Sequence, residues 1–146
     1  MSDLMEQQIT TSGEVGGAAK ELLARFGADC LYQESVDEIP NIWVSKGRLL
    51  EVMTFLKNEI SQPFPLLFDL SAIDERQRNN RQGMPDSDFT TFYHLISLDR
   101  NEDLRIKVAS SEQDAAVPSI CSLWPSANWY EREAYDLFGI VFIFSD

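Results

Sequence analysis

The chain has little of what metal and redox sites are made from. Its 146 residues include two cysteines, Cys30 and Cys121, and one histidine, His94. Two isolated cysteines so far apart do not make a disulfide framework. Zinc sites draw on clustered Cys and His, and no close pair of either is present. Both cysteines sit in apolar stretches and read as buried free thiols in a reducing compartment, small hydrophobes rather than ligands.

Positive charge is also scarce. Twelve Lys and Arg stand against 24 Asp and Glu, a formal net charge of −12. Such a surface repels phosphate backbones and anionic lipid, which argues against autonomous nucleic-acid binding and against a membrane-surface helix. Its plainest effect is solubility. Long apolar runs are missing too, and none approaches the ~18 residues that cross a bilayer. Met1 to Gly17 is polar, with neither a basic start nor an apolar core, so no signal peptide is expected. The expected product is cytosolic in character, with no direct membrane insertion.

What remains is enough for a core. Apolar residues make up 44%, and nine Phe, four Tyr and three Trp argue against a disordered segment. The length fits one domain. Residues 1–17 read as a flexible tail, and residues 18–146 as the folded unit.

Along that unit, Ala19, Leu22, Leu23 and Phe26 fall at helical spacing over Ala18 to Phe26, and Gly27 stands where a terminating glycine belongs. Cys30 to Val36 reads as a strand before an acidic turn, Asp37 to Pro40, and Asn41 to Ser45 as a second. Ser45 is placed to cap a helix over Lys46 to Glu59. There Leu49, Val52, Met53, Leu56 and Ile60 form one stripe, whose plain meaning is core packing. Leu66 to Ala72 reads as an apolar strand. Phe89 to Leu98 has two largely apolar faces, as a central strand does. A turn at Asp99 to Glu102 leads into a half-exposed partner carrying Leu104, Ile106 and Val108. A short helical piece is expected over Pro118 to Trp124. The fold class is α/β of the α+β type, with helices on a largely antiparallel or mixed sheet of about five strands, in the order α-β-β-α-β-β-β-α.

Between Asp74 and Asp88 the chain runs polar for longer than an ordinary turn. It gathers Arg76, Arg78 and Arg81 in an otherwise acidic protein, so two readings stand: a partner-contacting loop or a solvated one. His94, mid-strand beside Phe92 and Ile96, reads as a packed histidine. It becomes a general-base candidate only if a carboxylate lies within hydrogen-bond reach in a pocket.

The densest segment begins at Trp124. Asn128 is placed to cap a helix, Glu131 to close a capping box, Arg132 and Asp136 to pair four residues apart, and Gly139 to end it. Glu131 and Glu133, two apart, point to opposite faces and cannot form a catalytic carboxylate pair. Trp129, Tyr130 and Tyr135 occupy three sides of this helix, more than one domain's core can cover. Aromatics and Arg are enriched at interfaces, so the helix reads as an interface element as well as a core one. No residue set suggests a catalytic, cofactor-binding or metal site.

Glu131-Arg132-Glu133, then Asp136 and Leu137-Phe138, resembles the signature of the 30 kDa subunit of respiratory complex I, NADH:quinone oxidoreductase, known in bacteria as its C subunit. Asn128-Trp129-Tyr130, Phe92 to Leu95 with Asp99-Arg100, and Phe68-Asp69-Leu70 through Asp74-Glu75-Arg76 resemble that family as well. The likeness spans Phe26 to Phe142. Leu66 to Ile140 resembles gammaproteobacterial members, in which the C and D subunits are often fused in one polypeptide.

The resemblance implies a structural and assembly subunit of a proton-translocating enzyme. Such a subunit sits in the hydrophilic arm on the cytoplasmic side of the inner membrane, against the quinone-site (D) subunit. It implies no cofactor in this domain, because FMN, iron–sulfur clusters and quinone are held by other subunits. Glu131, Arg132, Glu133, Tyr135 and Asp136 become the signature and interface cluster, with Arg76, Arg78 and Arg81 a second partner surface. The competing reading is a stand-alone acidic adaptor outside respiration, using that arginine loop.

The family signature continues with a His or Lys where Ser145 stands here. The expectation is an N-terminal domain shortened at its end. Ile140 to Phe144 would then be a strand without its intended partner, and an aggregation liability.

Overall fold

Strand formation here follows from alternation. The computed structural model describes residues 16–77 and 83–144, and among them β4 (Phe89–Ser97) buries Phe89, Thr91, Tyr93, Leu95 and Ser97 on one face. Before it in the chain come α1 (Gly17–Phe26), β1 (Cys30–Gln33), β2 (Asn41–Val44), α2 (Lys46–Thr54) and β3 (Leu66–Asp74). After it come β5 (Glu102–Ser110), β6 (Ala116–Pro118), α3 (Ala127–Phe138) and β7 (Val141–Ile143).

Five strands form one mixed sheet in the order β1-β2-β5-β4-β3. Every neighbouring pair is antiparallel except β2 with β5. Directly paired residues share a face. The pairings Leu70↔Tyr93↔Ile106 and Leu67↔Leu95↔Leu104 therefore put six buried side chains on one side. Contacts of α1 with β1 and β5, α2 with β2 and β5, and α3 with β3 lay all three helices on that side. Fully burying a Leu, Ile or Phe contributes about 1.5–3 kcal/mol, so this layer dominates the stability.

The opposite face is covered by no helix among the described residues and is managed with polar pairs. Trp43 is buried under Lys107, whose Nζ lies 5.3 Å from the ring centroid. Arg105 pairs with Asp37 at 2.6 Å.

Arg100, in the β4–β5 turn, is the main polar joint of the core side. Its guanidinium donates to Glu21 of α1 at 2.5 Å, to Ser61 Oγ at 3.0 Å, to the Gln62 carbonyl at 2.7 Å and to Glu102 at 3.3 Å. Glu102 in turn accepts from the Ala18 N–H at 3.0 Å, so a distant carboxylate caps α1. That close approach needs glycine at Gly17, where φ is +58° and a Cβ would fall 1.9 Å from Glu102 Oε2.

Several expectations are corrected. β1 stops at Gln33 rather than Val36, because the chain turns at Ser35 to Glu38 and leaves Val36 exposed. Ser45 precedes α2 without a side-chain capping bond. The end of α2 widens into a π-helical turn, Phe55–Glu59, closed by Ile60 N–H to Phe55 C=O at 2.8 Å, which turns Phe55, Leu56 and Ile60 all inward. Pro118 ends strand β6 instead of opening a helix. The stretch to Trp124 holds only a turn, with the Leu123 and Trp124 N–H groups both donating to the Ile120 carbonyl. β7 is not partnerless, for it pairs in parallel with β6 in a second, two-stranded sheet.

Candidate functional site

α3 is seated through a narrow inner stripe. Ala127, Glu131 and Ala134 are buried, spaced four and three apart, and the two alanines let the helix approach closely. Phe138 meets Phe89 edge-on at 6.4 Å. The Tyr130 hydroxyl donates to the Phe68 carbonyl at 3.1 Å, at the edge strand β3 where Phe68 forms a bulge. Gly139 ends the helix in the left-handed region (φ 76°), with its N–H on the Tyr135 carbonyl at 2.8 Å.

Glu131 does not close a capping box. The helix starts at Ala127, so Asn128 lies inside its first turn, and the capping position, Ser126, makes no side-chain capping bond. Glu131 is only 4% exposed and accepts two hydrogen bonds, from Ser119 Oγ at 2.7 Å and from the Ile120 N–H at 2.9 Å. Burial pushes its carboxyl above the ordinary range, while those two donors pull it back. Ser119 also donates its N–H to the Ile143 carbonyl at 2.8 Å, so Glu131 ties α3 to the joint between β6 and β7.

The outer face is the reverse of this. Trp129 is 79% exposed, Leu137 67% and Tyr135 54%. Trp129, Tyr130, Arg132, Glu133, Asp136 and Leu137 line an open depression of about 630 Å³. Arg132 and Asp136 pair at 3.5 Å, and Glu133 points away from Glu131 into solvent. The signature residues are thus divided: Glu131 holds the helix from inside, and Arg132, Glu133, Tyr135 and Asp136 are presented outward. Isolated exposed aliphatics are ordinary; here they are gathered with aromatics and rimmed by charge.

Of the arginine loop, Arg76 is held by Asp74 at 2.6 Å and by Glu112 at 3.1 Å, and its guanidinium lies 5.0 Å from the Phe89 ring centroid. The bonds from Arg76 hold the Asp74 carboxyl down at about 2. Next to it Glu75 is buried and accepts a hydrogen bond from Thr90. Arg78 and Arg81 lie outside the described residues, as do the tail residues 1–15 and Ser145.

His94 does have a carboxylate in reach, Asp103 at 2.7 Å, with Phe68 edge-on 5.2 Å away. The two residues belong to adjacent strands of the helix-free face. No group of three or more His, Cys, Asp or Glu among the described residues could hold a metal ion, and no helix among them is long and apolar enough to cross a membrane.

Residues 42–144 match the family model described as respiratory-chain NADH dehydrogenase, 30 Kd subunit. The chain belongs to that family. A protein of Psychrobacter cryohalolentis, named as the C/D subunit of NADH-quinone oxidoreductase, is 56% identical over 128 residues, 88% of this chain. A protein of the same name from Acinetobacter baumannii is 53% identical over 84% of it. The chain spans only about a fifth of those relatives, 22% and 20% of their lengths.

Among solved structures, a trypsin-resistant fragment of Nqo5 matches with a TM-score of 0.71 at 27% identity, covering 84% of this chain and 90% of that one. A chain of an archaeal membrane-bound sulfane sulfur reductase complex shares the fold, with a TM-score of 0.62 at 21% identity over 90% of this chain and 70% of that one. These likenesses give no support to an adaptor outside respiration.

The exposure of Trp129 and Tyr135 is accessible from the aromatic content of α3. The partnership of Glu131 with Ser119 and Ile120 is not, since nothing local in the sequence links residues eleven and twelve apart across Pro125. Leu137 reads in the sequence only as one of an apolar pair. Its signal for exposure is that the stripe through Ala127, Glu131 and Ala134 continues to Phe138 and leaves Leu137 aside.

Proposed function

We propose that this chain is a non-catalytic structural and assembly module of the peripheral arm of bacterial NADH:quinone oxidoreductase. Residues 18–146 form the docking domain, and the outer face of α3 carries its attachment to the quinone-site subunit. The observation behind this is the exposure of Trp129, Tyr135 and Leu137 on a helix whose inner stripe is already packed against its own domain. Burying three such side chains against a partner offers several kcal/mol of association free energy, at about 25 cal/mol per Å² before ordering costs.

Relatives named as C/D subunits fit a docking domain joined to the rest of a larger polypeptide. On this reading NADH oxidation, electron transfer and quinone reduction belong to other subunits. Those subunits hold the FMN and the iron–sulfur clusters, and the arm stands on the cytoplasmic side of the inner membrane. His94 and Asp103 then serve as a packed polar pair of the open sheet face.

The test is isolation of the tagged polypeptide from solubilised membranes of its host, comparing the parent with Trp129→Ala and Leu137→Ala. Both side chains are exposed, so the variants should fold while recovering markedly less NADH:quinone oxidoreductase activity. Undiminished recovery with both variants would remove α3 from the interface.

A further inference from the structure

A second concavity lies behind the signature helix, between α3 and β7. It has a volume of about 220 Å³, with Glu131 among its lining residues and Tyr135, Val141, Phe142 and Phe144 as apolar walls. Carboxylates at the bottom of apolar clefts are uncommon because desolvation penalises the charge. Glu131 is 4% exposed, and its two protein donors use about half of the roughly four acceptor positions of a carboxylate. From β4, the fully buried Tyr93 faces the same carboxylate and its hydroxyl has no hydrogen-bond partner. Asn128 and Arg132 complete the lining, and the charge of Arg132 is countered by Asp136, its partner at 3.5 Å.

An uncharged apolar occupant would leave the free acceptor positions of Glu131 unpaired. An anionic one would be repelled by it and by a domain of net charge −12. A long basic side chain fits on both counts. Its methylenes pack on Val141 and Phe142, its head is attracted by the faces of Tyr135 and Phe144, and its charge compensates the carboxylate. We infer that the α3–β7 groove is a socket for one lysine or arginine side chain projected by a neighbouring subunit. This rests on the assembly reading and deepens it by naming the chemistry of the partner.

The experiment uses the complex isolated through the tagged polypeptide, with Tyr135 replaced by the photocrosslinking residue p-benzoylphenylalanine. Crosslinked peptides are sequenced by mass spectrometry. The expected product joins Tyr135's position to another subunit's peptide with Lys or Arg beside the attachment point. Glu131→Gln keeps the shape, with its one carbonyl oxygen accepting from the Ile120 N–H and its amide donating to Ser119 Oγ in a reversed bond, and is expected to lower crosslink yield about tenfold or more. Val141→Lys, a cation added at an exposed position, should compete to the same effect.

A crosslink to a peptide without a basic residue, a crosslink to another residue of this domain, or no crosslink in a complex that contains the chain overturns the socket. Undiminished yield with both variants overturns it too. If the unsubstituted chain recovers no oxidoreductase activity at all, the assembly reading fails first and the socket falls with it.

Discussion

Replacing Arg100 by alanine probes the packing of α1 on the sheet more directly than any core truncation. The guanidinium side chain is 5% exposed and its bonds reach three segments: Glu21 on α1, Ser61 and Gln62 after α2, and Glu102 on β5. It also lies 5.8 Å from the Phe64 ring centroid, so its stem and plane fill space in the core rim. Removing one partner of a buried ion pair costs about 3–5 kcal/mol, chiefly by leaving the other charge uncompensated.

Here the two carboxylates are 36% and 34% exposed, and water can recover part of that loss. The expected destabilisation for Arg100→Ala is therefore about 2–3 kcal/mol. Arg100→Lys keeps one charge but not the fork, and should cost about 1–2 kcal/mol. Urea titration followed by circular dichroism is the assay, and the alanine variant should move the midpoint down by about 1–2 M.

There is also a pH signature. Arg100 and Ser61 hold Glu21 below its ordinary value of 4.5. A depressed carboxyl contributes stability that is present above its unfolded pKa and is lost as pH falls through the folded one. The gap between parent and Arg100→Ala should thus be full at pH 6 to 7 and shrink below about pH 4. An alanine variant within about 0.5 kcal/mol of the parent at pH 7 would refute the reasoning.

Other outcomes follow from the same structure. Asp37 and Asp74, held down by Arg105 and Arg76, share the sign of Glu21, so the parent's urea midpoint should fall steadily as pH is lowered below about 4. Glu131 has the opposite sign: its carboxyl is raised by burial, so its ionised form costs stability above the folded pKa and nothing below its ordinary value of 4.5. Any stability advantage of Glu131→Gln should therefore shrink between pH 7 and pH 4, and a constant gap would argue against burial as the cause. Gly139→Ala meets no atom within 4 Å of the new Cβ, so its cost is that of the left-handed backbone, about 1 kcal/mol by thermal melting. Arg132→Ala breaks an exposed pair worth about 0.3–0.5 kcal/mol, so the melting curve should barely move while recovery of the complex falls.

The legible parts of the fold are those with a strong period. Alternation marks β4 and β5 as neighbours, and the Leu49-Val52-Met53-Leu56 stripe marks α2, because one face of each is wholly buried. Three-residue strands leave almost no periodic trace. β6 is therefore missed, only its last residue, Pro118, reading as the start of a helix, and the pairing of β6 with β7 is invisible before the structure.

The order of the sheet is hidden for a different reason. Placing β2 parallel to β5 depends on where long connections lie, which residue chemistry does not record. At the site, Trp129 and Tyr135 are legible as more aromatic surface than one domain can cover. Glu131 misleads because a capping box is a local pattern, and its true partners come from another segment of the chain.

Whether this domain joins NADH:quinone oxidoreductase is tested most directly by one measurement. A tagged polypeptide carrying this chain is isolated from detergent-solubilised host membranes, and NADH:quinone oxidoreductase activity is assayed in the eluate beside an untagged control. Activity that enriches with the tag is the expected result. A folded, soluble chain that elutes without activity, under conditions in which the enzyme itself survives, would contradict the claim.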